Sequence, residues 1–193
     1  SGRHTGLVKA SSGGGGVWNL IETLTASSSA TLDFTSGIDS TYDEYVFKFI
    51  NIHPGTNSVS LMFQGNVAGG SGYNETMTTI QFRAYHNQAG NDTDLIYYTS
   101  GDQAQGTAFQ YLSGTINTGN DNSTSGYMQL FNPSSTTFVK HFIATAQILI
   151  DDSYSMQYST AGYFNTTSAI DEIQFKFSSG NIDAGTISLY GIT

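Results

Sequence analysis

Hydrophobic and polar residues alternate with a period of two along most of this chain. Residues 170–178, for example, place Ile173, Phe175 and Phe177 on one side and polar residues on the other. Residues two apart in a β-strand point to the same face of a sheet, so the pattern predicts half-buried strands. About ten to twelve such strands follow one another, separated by short polar turns. The sequence therefore predicts an all-β protein, an antiparallel β-sandwich of jelly-roll type.

The strongest predicted strand spans residues 44–53 and is apolar on both sides. One face carries Tyr45, Phe47 and Phe49, and the other carries Val46, Ile50 and Ile52. A strand with two apolar faces is covered on each side, or has one face in a core and the other in an interface. Both possibilities are open at the level of the sequence.

A second alternation, in residues 77–85, predicts that Ile80, Phe82 and Ala84 point inward and that Gln81 and Arg83 point outward. The large apolar residues on the inward positions of the predicted strands form the expected core. We expect the following residues to be buried: Phe47, Phe49, Leu61, Phe82, Phe142, Ile148, Phe175 and Leu189.

Residues 1–16 differ from the rest of the chain, because they are polar and basic and end in four glycines. A segment of this composition buries too little apolar surface to offset the entropy lost when it becomes ordered. We therefore divide the chain into an extended, Gly-rich N-terminal arm, residues 1–16, and a β-sandwich domain, residues 17–193. The arm is expected to contact another subunit, and Trp18 is expected to anchor the junction in a core. The predicted partner-binding residues are Arg3, His4, Leu7, Val8, Lys9 and Trp18.

Charge narrows the range of partners. The 193 residues include 15 Asp and Glu but only 6 Lys and Arg, giving a net charge of −9, which argues against nucleic-acid binding. Arg3 and Lys9 lie in the arm, so a basic arm joins an acidic body, an arrangement suited to docking on a like subunit. No apolar run reaches the ~18 residues that span a bilayer, and residues 1–16 lack the apolar region of a signal peptide. We therefore expect no membrane partner.

Candidate chemistry is sparse. The absence of cysteine excludes disulfides, thiolate zinc sites and a cysteine nucleophile. The four histidines have no metal-binding spacing and are expected at surfaces and turns. A pair of carboxylates suited to glycoside hydrolysis stays possible at the level of the sequence. Its candidate members are Asp39, Asp43, Asp151, Asp171 and Glu172. The oxygen-rich stretches 91–94 and 120–122 are possible calcium loops but are better explained as turns. We predict no catalytic residues, no cofactor and no metal site.

Several tyrosines are candidates for a further binding function. They are suited to stacking on sugar rings, to cross-strand pairing or to a subunit interface, and the last two are favoured. The tyrosines concerned are Tyr97, Tyr98, Tyr111, Tyr127, Tyr154, Tyr158 and Tyr163.

Three stretches carry a resemblance: residues 18–23 (WNLIET), 39–54 (DSTYDEYVFKFINIHP) and 180–192 (GNIDAGTISLYGI). They resemble virion structural proteins of tailed bacteriophages, especially those of aquatic hosts. The resemblance covers most of the body and implies a β-sandwich protein associated with the capsid or the tail. It implies no catalytic motif and does not include the arm.

The leading hypothesis is a capsid decoration (cement) protein that binds and stabilises the assembled head. We expect it to be non-enzymatic and homo-oligomeric, with a trimer favoured. Its expected partners are the major capsid protein or other virion subunits. It is expected to lie on the particle surface after synthesis in the bacterial cytoplasm. The alternative is a tail or fibre module that binds host surface glycans, and a third reading is a carbohydrate-active hydrolase.

Overall fold

The computed structural model describes residues 17–150 and 153–193, which form two antiparallel β-sheets packed as a sandwich. In chain order the strands are β1 (Trp18–Thr25), β2 (Leu32–Phe34), β3 (Glu44–Pro54), β4 (Leu61–Val67), β5 (Met77–Asn87), β6 (Thr93–Tyr97), β7 (Ala104–Gly106), β8 (Gln110–Tyr111), β9 (Thr124–Phe131), β10 (Lys140–Ile150), β11 (Tyr154–Phe164), β12 (Ile170–Phe177) and β13 (Ile182–Ile192). A single 3₁₀ turn, Thr99–Gly101, is the only helical element of these described residues.

The large sheet has nine strands in the order β1-β13-β3-β9-β10-β11-β5-β6, with β7 also paired to β5. The small sheet has four strands in the order β2-β12-β4-β8. All pairings are antiparallel. The predicted all-β, antiparallel sandwich is thus confirmed, whereas the jelly-roll topology stays a prediction.

The core lies between the two sheets and is built on aromatic rings. Phe175 of β12 lies with its ring centroid 5.4 Å from that of Phe47 and 5.5 Å from that of Phe49, both in β3. Phe34 and Phe63, from the neighbouring strands of the small sheet, lie 6.1 and 6.3 Å from the same ring. Tilted and edge-to-face rings of this kind stabilise a core beyond the burial of their area. The predicted burial of Phe47, Phe49 and Phe175 is confirmed.

Four further core predictions are confirmed as well, because every one of these side chains is almost completely buried. They are Leu61, Phe142, Ile148 and Leu189.

An irregularity in β3 and in the facing part of β13 changes which side chains of β3 point into the core. Asn51 has a φ of 52°, and the facing Gly185 of β13 has a φ of 109°. The register shifts on both sides of β3 at this point, as expected of a β-bulge, which leaves an extra residue in one strand. The predicted pairing of Ile50 and Ile52 on one face is therefore wrong: Ile52 is buried in the core and Ile50 is exposed on the outside.

The expected orientation of β5 is also wrong. Gln81 is fully buried, whereas Ile80 and Phe82 are 50% and 43% exposed. The inner side of this part of the large sheet faces the loop segment 98–113, whose backbone carbonyls need donors. Gln81 Nε2 donates to the carbonyl of Tyr111 (2.8 Å) and to Thr160 Oγ1 (2.7 Å), so Gln81 points inward and its neighbours Ile80 and Phe82 point outward.

The segment 107–117 belongs mostly to this covering loop. It contributes only β8 and an isolated bridge between Ile116 and Val59. Its peptide groups bond partly to the backbone, as from the Leu112 amide to the Leu61 carbonyl (2.8 Å), and partly to side chains: Gln64 Nε2 lies 3.2 Å from the carbonyl of Thr107 and 3.1 Å from that of Ala108.

Candidate interaction surface

The outward face of the large sheet is organised in rows of paired residues, because the side chains of directly paired residues lie on the same face. One row, here called row A, crosses seven strands from β1 to β5. Its members in spatial order are Leu20, Tyr190, Val46, Gln129, Ile143, Ala161 and Ile80. Row A contains no charged residue.

A parallel row, here called row B, runs from β1 to β6. Its members are Thr23, Ser188, Lys48, Tyr127, Thr145, Ser159, Phe82 and Tyr97. Lys48 is the only charged residue of the two rows. Depletion of charge together with exposed aromatic residues is the composition of the centre of a protein interface.

This outer face collects the exposed apolar side chains of the molecule. Within the described residues, every exposed large apolar side chain except Val17 and Phe138 lies on it: Trp18, Leu20, Ile50, Ile80, Phe82, Leu95, Tyr97, Tyr127 and Ile143. Eight strands spaced ~4.8 Å apart and four outward rows give a plane of roughly 700 Å². On this plane the exposed apolar side chains alternate with uncharged polar ones, and such a concentration of exposed apolar side chains makes the face a candidate interaction site.

A groove lies in the half of this face formed by β10, β11 and β5. It has a volume of about 450 Å³ and is lined mainly by Ile80, His141, Ile143, Ala161 and Tyr163. In row A the small Ala161 is paired with Ile143 on one side and with Ile80 on the other. The groove exists because an alanine separates two long branched side chains, and its lining is almost entirely apolar.

The layer beneath the groove-bearing half of the sheet is polar and tightly bonded. Arg83 of β5 donates from Nη1 to the hydroxyl of Tyr158 (3.2 Å), and its guanidinium lies 4.8 Å from the ring centroid of Tyr98. Burial raises the pKa of Tyr158, so this hydroxyl stays protonated. The hydrogen bonds within this layer help to hold the strands in one register, which supports a fixed shape of the outer face.

Trp18 belongs to this outer face and not to a core, so the expectation that it anchors the junction in a core is wrong. The indole is 52% exposed and meets Tyr190 edge to face, with ring centroids 5.4 Å apart. Trp18 lies in the edge strand β1, where no further strand covers it. The other predicted partner-binding residues, Arg3, His4, Leu7, Val8 and Lys9, lie outside the described residues.

Among the described residues, the candidate carboxylates Asp39 and Glu172 are bonded to different residues. Asp39 accepts hydrogen bonds from the Thr41 amide (2.7 Å) and the Tyr45 hydroxyl (3.1 Å), and the bonds from Thr41 lower its pKa. Glu172 accepts from Asn66 Nδ2 (3.1 Å) in the small sheet. Burial raises the pKa of the neighbouring Asp171, and the charge of Glu172 raises it further. Asp151 lies outside the described residues.

The oxygen-rich stretches are organised as turns. The Asn87 amide nitrogen donates to Asn91 Oδ1 (2.7 Å), and the Tyr154 hydroxyl donates to Asp92 (2.9 Å). Among residues 17–150 and 153–193, no three His, Asp or Glu side chains are grouped so as to hold a metal ion. The same residues contain no helix long and apolar enough to cross a membrane.

His53 and His141 take different positions. His53 is half-buried, with Nε2 3.1 Å from the Gly119 carbonyl and Nδ1 3.7 Å from Asp183. His141 lies on the outward face of its strand, as predicted, and packs against Tyr163 at 6.0 Å between ring centroids.

Sequence reasoning missed the groove. The signal was present in β10, where Ile143 and Leu149 interrupt the polar side of an otherwise regular alternation. Known proteins add nothing to these observations: no family model, no curated protein and no solved structure matches the chain.

Proposed function

We propose that this protein is a non-catalytic structural subunit of a tailed-bacteriophage particle, and that it is a decoration protein of the head. The outer face of the large sheet would be its docking surface for the major capsid protein or for neighbouring copies in a homo-oligomer. The single observation behind this proposal is the concentration of exposed apolar side chains, with a single charged residue, on the face that carries rows A and B. Residues 18–23, 39–54 and 180–192 resemble phage virion proteins, and this resemblance is the reason for proposing a phage particle as the assembly.

The size and composition of the face support a protein partner. A plane of roughly 700 Å² approaches the ~800 Å² that each partner contributes to a stable protein complex. Removing a charged side chain from water is costly when it gains no partner. Rows A and B contain a single charged residue, so burying them in an interface would carry little of this cost.

The proposed mechanism is thermodynamic. A subunit that binds only the assembled shell stabilises that shell by mass action, without any chemical step.

The first experiment is a copy count in purified particles of the phage that encodes this chain, by quantitative mass spectrometry and electron cryo-microscopy. A decoration protein is present on the order of hundreds of copies, as expected for a subunit repeated around the axes of a shell. Absence from the particle, or presence in the tail alone, would contradict the proposal.

The second experiment tests the face itself. Ile143→Lys places a charge in the centre of row A and is expected to weaken attachment by about 30-fold or more, equivalent to ~2 kcal/mol. Gln174→Lys, on the outside of the small sheet, is the matched control and should attach normally. Thermal melts of both free proteins verify that each is folded. Equal loss of attachment for the two variants would show that the large sheet is not the docking surface.

A tail or fibre module that binds glycans is the second candidate. Tyr97 and Tyr127 are both about half exposed on the outer face, and exposed aromatic rings stack on sugars. A count of only a few copies per particle, together with binding to host polysaccharide that is lost in Tyr127→Ala, would favour this candidate.

A further inference from the structure

The groove between β10, β11 and β5 needs an apolar occupant. Ile80 and Ile143 are each about half exposed at its sides, and Ala161 forms its floor. A volume of about 450 Å³ falls within the range of ligand pockets and suits a short apolar segment of chain. The lining offers few polar atoms, so a sugar or a charged peptide would leave its own polar groups unpaired.

The chain itself contains a suitable segment. Leu7 and Val8 are the only adjacent large apolar residues in residues 1–16, and polar or small residues flank them on both sides. The same stretch carries Arg3 and Lys9 but no carboxylate. Glu44 of β3 lies on the outer face two strands from the groove, paired with Phe131 and held by Gln129 Nε2 at 2.9 Å. An arm with its apolar pair in the groove would place a basic residue within reach of this carboxylate.

Length permits the contact. Nine residues lie between Leu7 and Val17, and the ten steps that join the two span ~33 Å in extended form. The centre of the groove, at β11, lies five strand spacings, or ~24 Å, from β1 across the sheet, so the arm of a second copy whose body covers the β1 half of this face is long enough to reach it. The four glycines before Val17 place no restriction on the direction in which the arm leaves β1.

We propose that the groove binds Leu7 and Val8 of a second copy of this chain. On its own sheet the arm would lay residues 9–16, which are mostly serine and glycine, across Trp18, Leu20 and Tyr190, and these small polar residues would leave that apolar surface uncovered. A second copy covers this half of the face with its body and fills the groove with its arm. The basic arm also meets an acidic body, so the charges of the two copies are complementary.

This inference rests on the proposed use of the outer face for assembly, and its test needs no phage particle. The chain contains no cysteine, so introduced cysteines react without background. Leu7→Cys and Ala161→Cys are made as separate single-cysteine proteins, mixed and oxidised. A disulfide-linked heterodimer is the expected product. Ser179→Cys, in the exposed turn between β12 and β13, replaces Ala161→Cys in the matched control and should give only background cross-linking.

The double variant carrying both cysteines in one chain distinguishes the source of the arm. An internal disulfide in this monomer, together with no heterodimer in the mixture, would overturn the proposal because the arm would then lie on its own sheet. Equal cross-linking to Ala161→Cys and Ser179→Cys would overturn it as well, since random collision would explain both.

Sedimentation velocity gives an independent measurement on the cysteine-free chain. The wild type should show a concentration-dependent larger species, and Leu7→Asp combined with Val8→Asp should lose it. Ser11→Asp combined with Ser12→Asp adds the same charge to the arm and should retain it. Equal loss in both pairs would contradict binding through the apolar pair. The copy count in particles tests the proposed function independently of this inference. If the heterodimers form but the protein is absent from particles, the proposed function is wrong and the binding of the arm in the groove still holds.

Discussion

Gln174 and Lys176 occupy the outward positions of β12 in the small sheet, whereas Ile143 and Ile80 occupy the corresponding outward positions of β10 and β5 in the large one. The small sheet is also partly covered: Gln64 is fully buried, and Lys176 Nζ lies 4.1 Å from the ring centroid of Phe109 in the covering loop. The chain thus finishes one outer face with polar side chains and a loop of its own, and leaves the other apolar and bare. Since both sheets come from one alternating pattern, the fold alone does not require this difference, which is the basis for the proposed partner on the outer face of the large sheet.

The sharpest test of this difference uses two phenylalanines that the sequence places in the same core. Phe175→Ala removes a ring at the centre of the aromatic core and should cost about 3–5 kcal/mol of unfolding free energy. Phe82→Ala removes a ring that is 43% exposed and should cost the free protein less than about 1 kcal/mol. Urea unfolding monitored by circular dichroism measures both values. Equal costs would show that the outer face is covered within the monomer.

A pair of glutamines tests the layer beneath the groove. Gln81→Leu keeps the volume but removes the donor to Tyr111 and Thr160, so we expect a loss of about 1–2 kcal/mol. Gln174→Leu, on the outside of the small sheet, leaves no buried partner unpaired and should change unfolding free energy by less than about 0.5 kcal/mol. The same unfolding assay applies, and a stabilising effect of Gln81→Leu would mean that the inward polar network is not needed for the register of β5.

The smallest effect concerns pH and the outer side of the small sheet. Burial and the charge of Glu172 raise the pKa of Asp171 above its ordinary value of 3.8, so the folded protein holds this proton more tightly than the unfolded chain. The resulting contribution to stability is present below pH 3.8 and is lost as pH rises through the folded pKa. Asp171→Asn should therefore raise the melting temperature at neutral pH but not near pH 3. The gain should stay below about 1 kcal/mol, since the site is partly open to solvent. A gain of equal size at both pH values would contradict the role of its charge.

How far the sequence predicts this structure depends on what lies opposite each strand. Alternation assigned Phe47, Phe49 and Phe175 correctly, because sheet faces sheet there and only apolar side chains can fill the space between them. The same rule failed for Phe82 and Gln81, because an irregular loop faces β5 and presents backbone carbonyls. Which loop covers which strand is a property of the tertiary structure and cannot be obtained from periodicity.

Two other positions show the same limit. Lys140 shares the inward side of its strand with Phe142 and is fully buried. Its ammonium donates to the carbonyls of Phe138 (2.6 Å) and Thr166 (3.3 Å), and burial lowers its pKa. Ile52 lies in the core because of a β-bulge, and the pattern of hydrophobic residues does not predict this bulge. For the candidate site, the two apolar faces of residues 44–53 left an interface as one of two possibilities, but the groove depends on the lateral pairing of Ile143, Ala161 and Ile80 across three strands.

Trp18 gives this molecule an optical reporter of its own. It is the single tryptophan of the chain, and its half-exposed indole lies at the rim of the bare face, next to where the arm leaves β1. Any partner that covers this rim withdraws the indole from water and shifts its emission to shorter wavelength. The proposed association and particle attachment would therefore be measurable in the unlabelled wild-type protein, in real time, from the emission wavelength of one side chain.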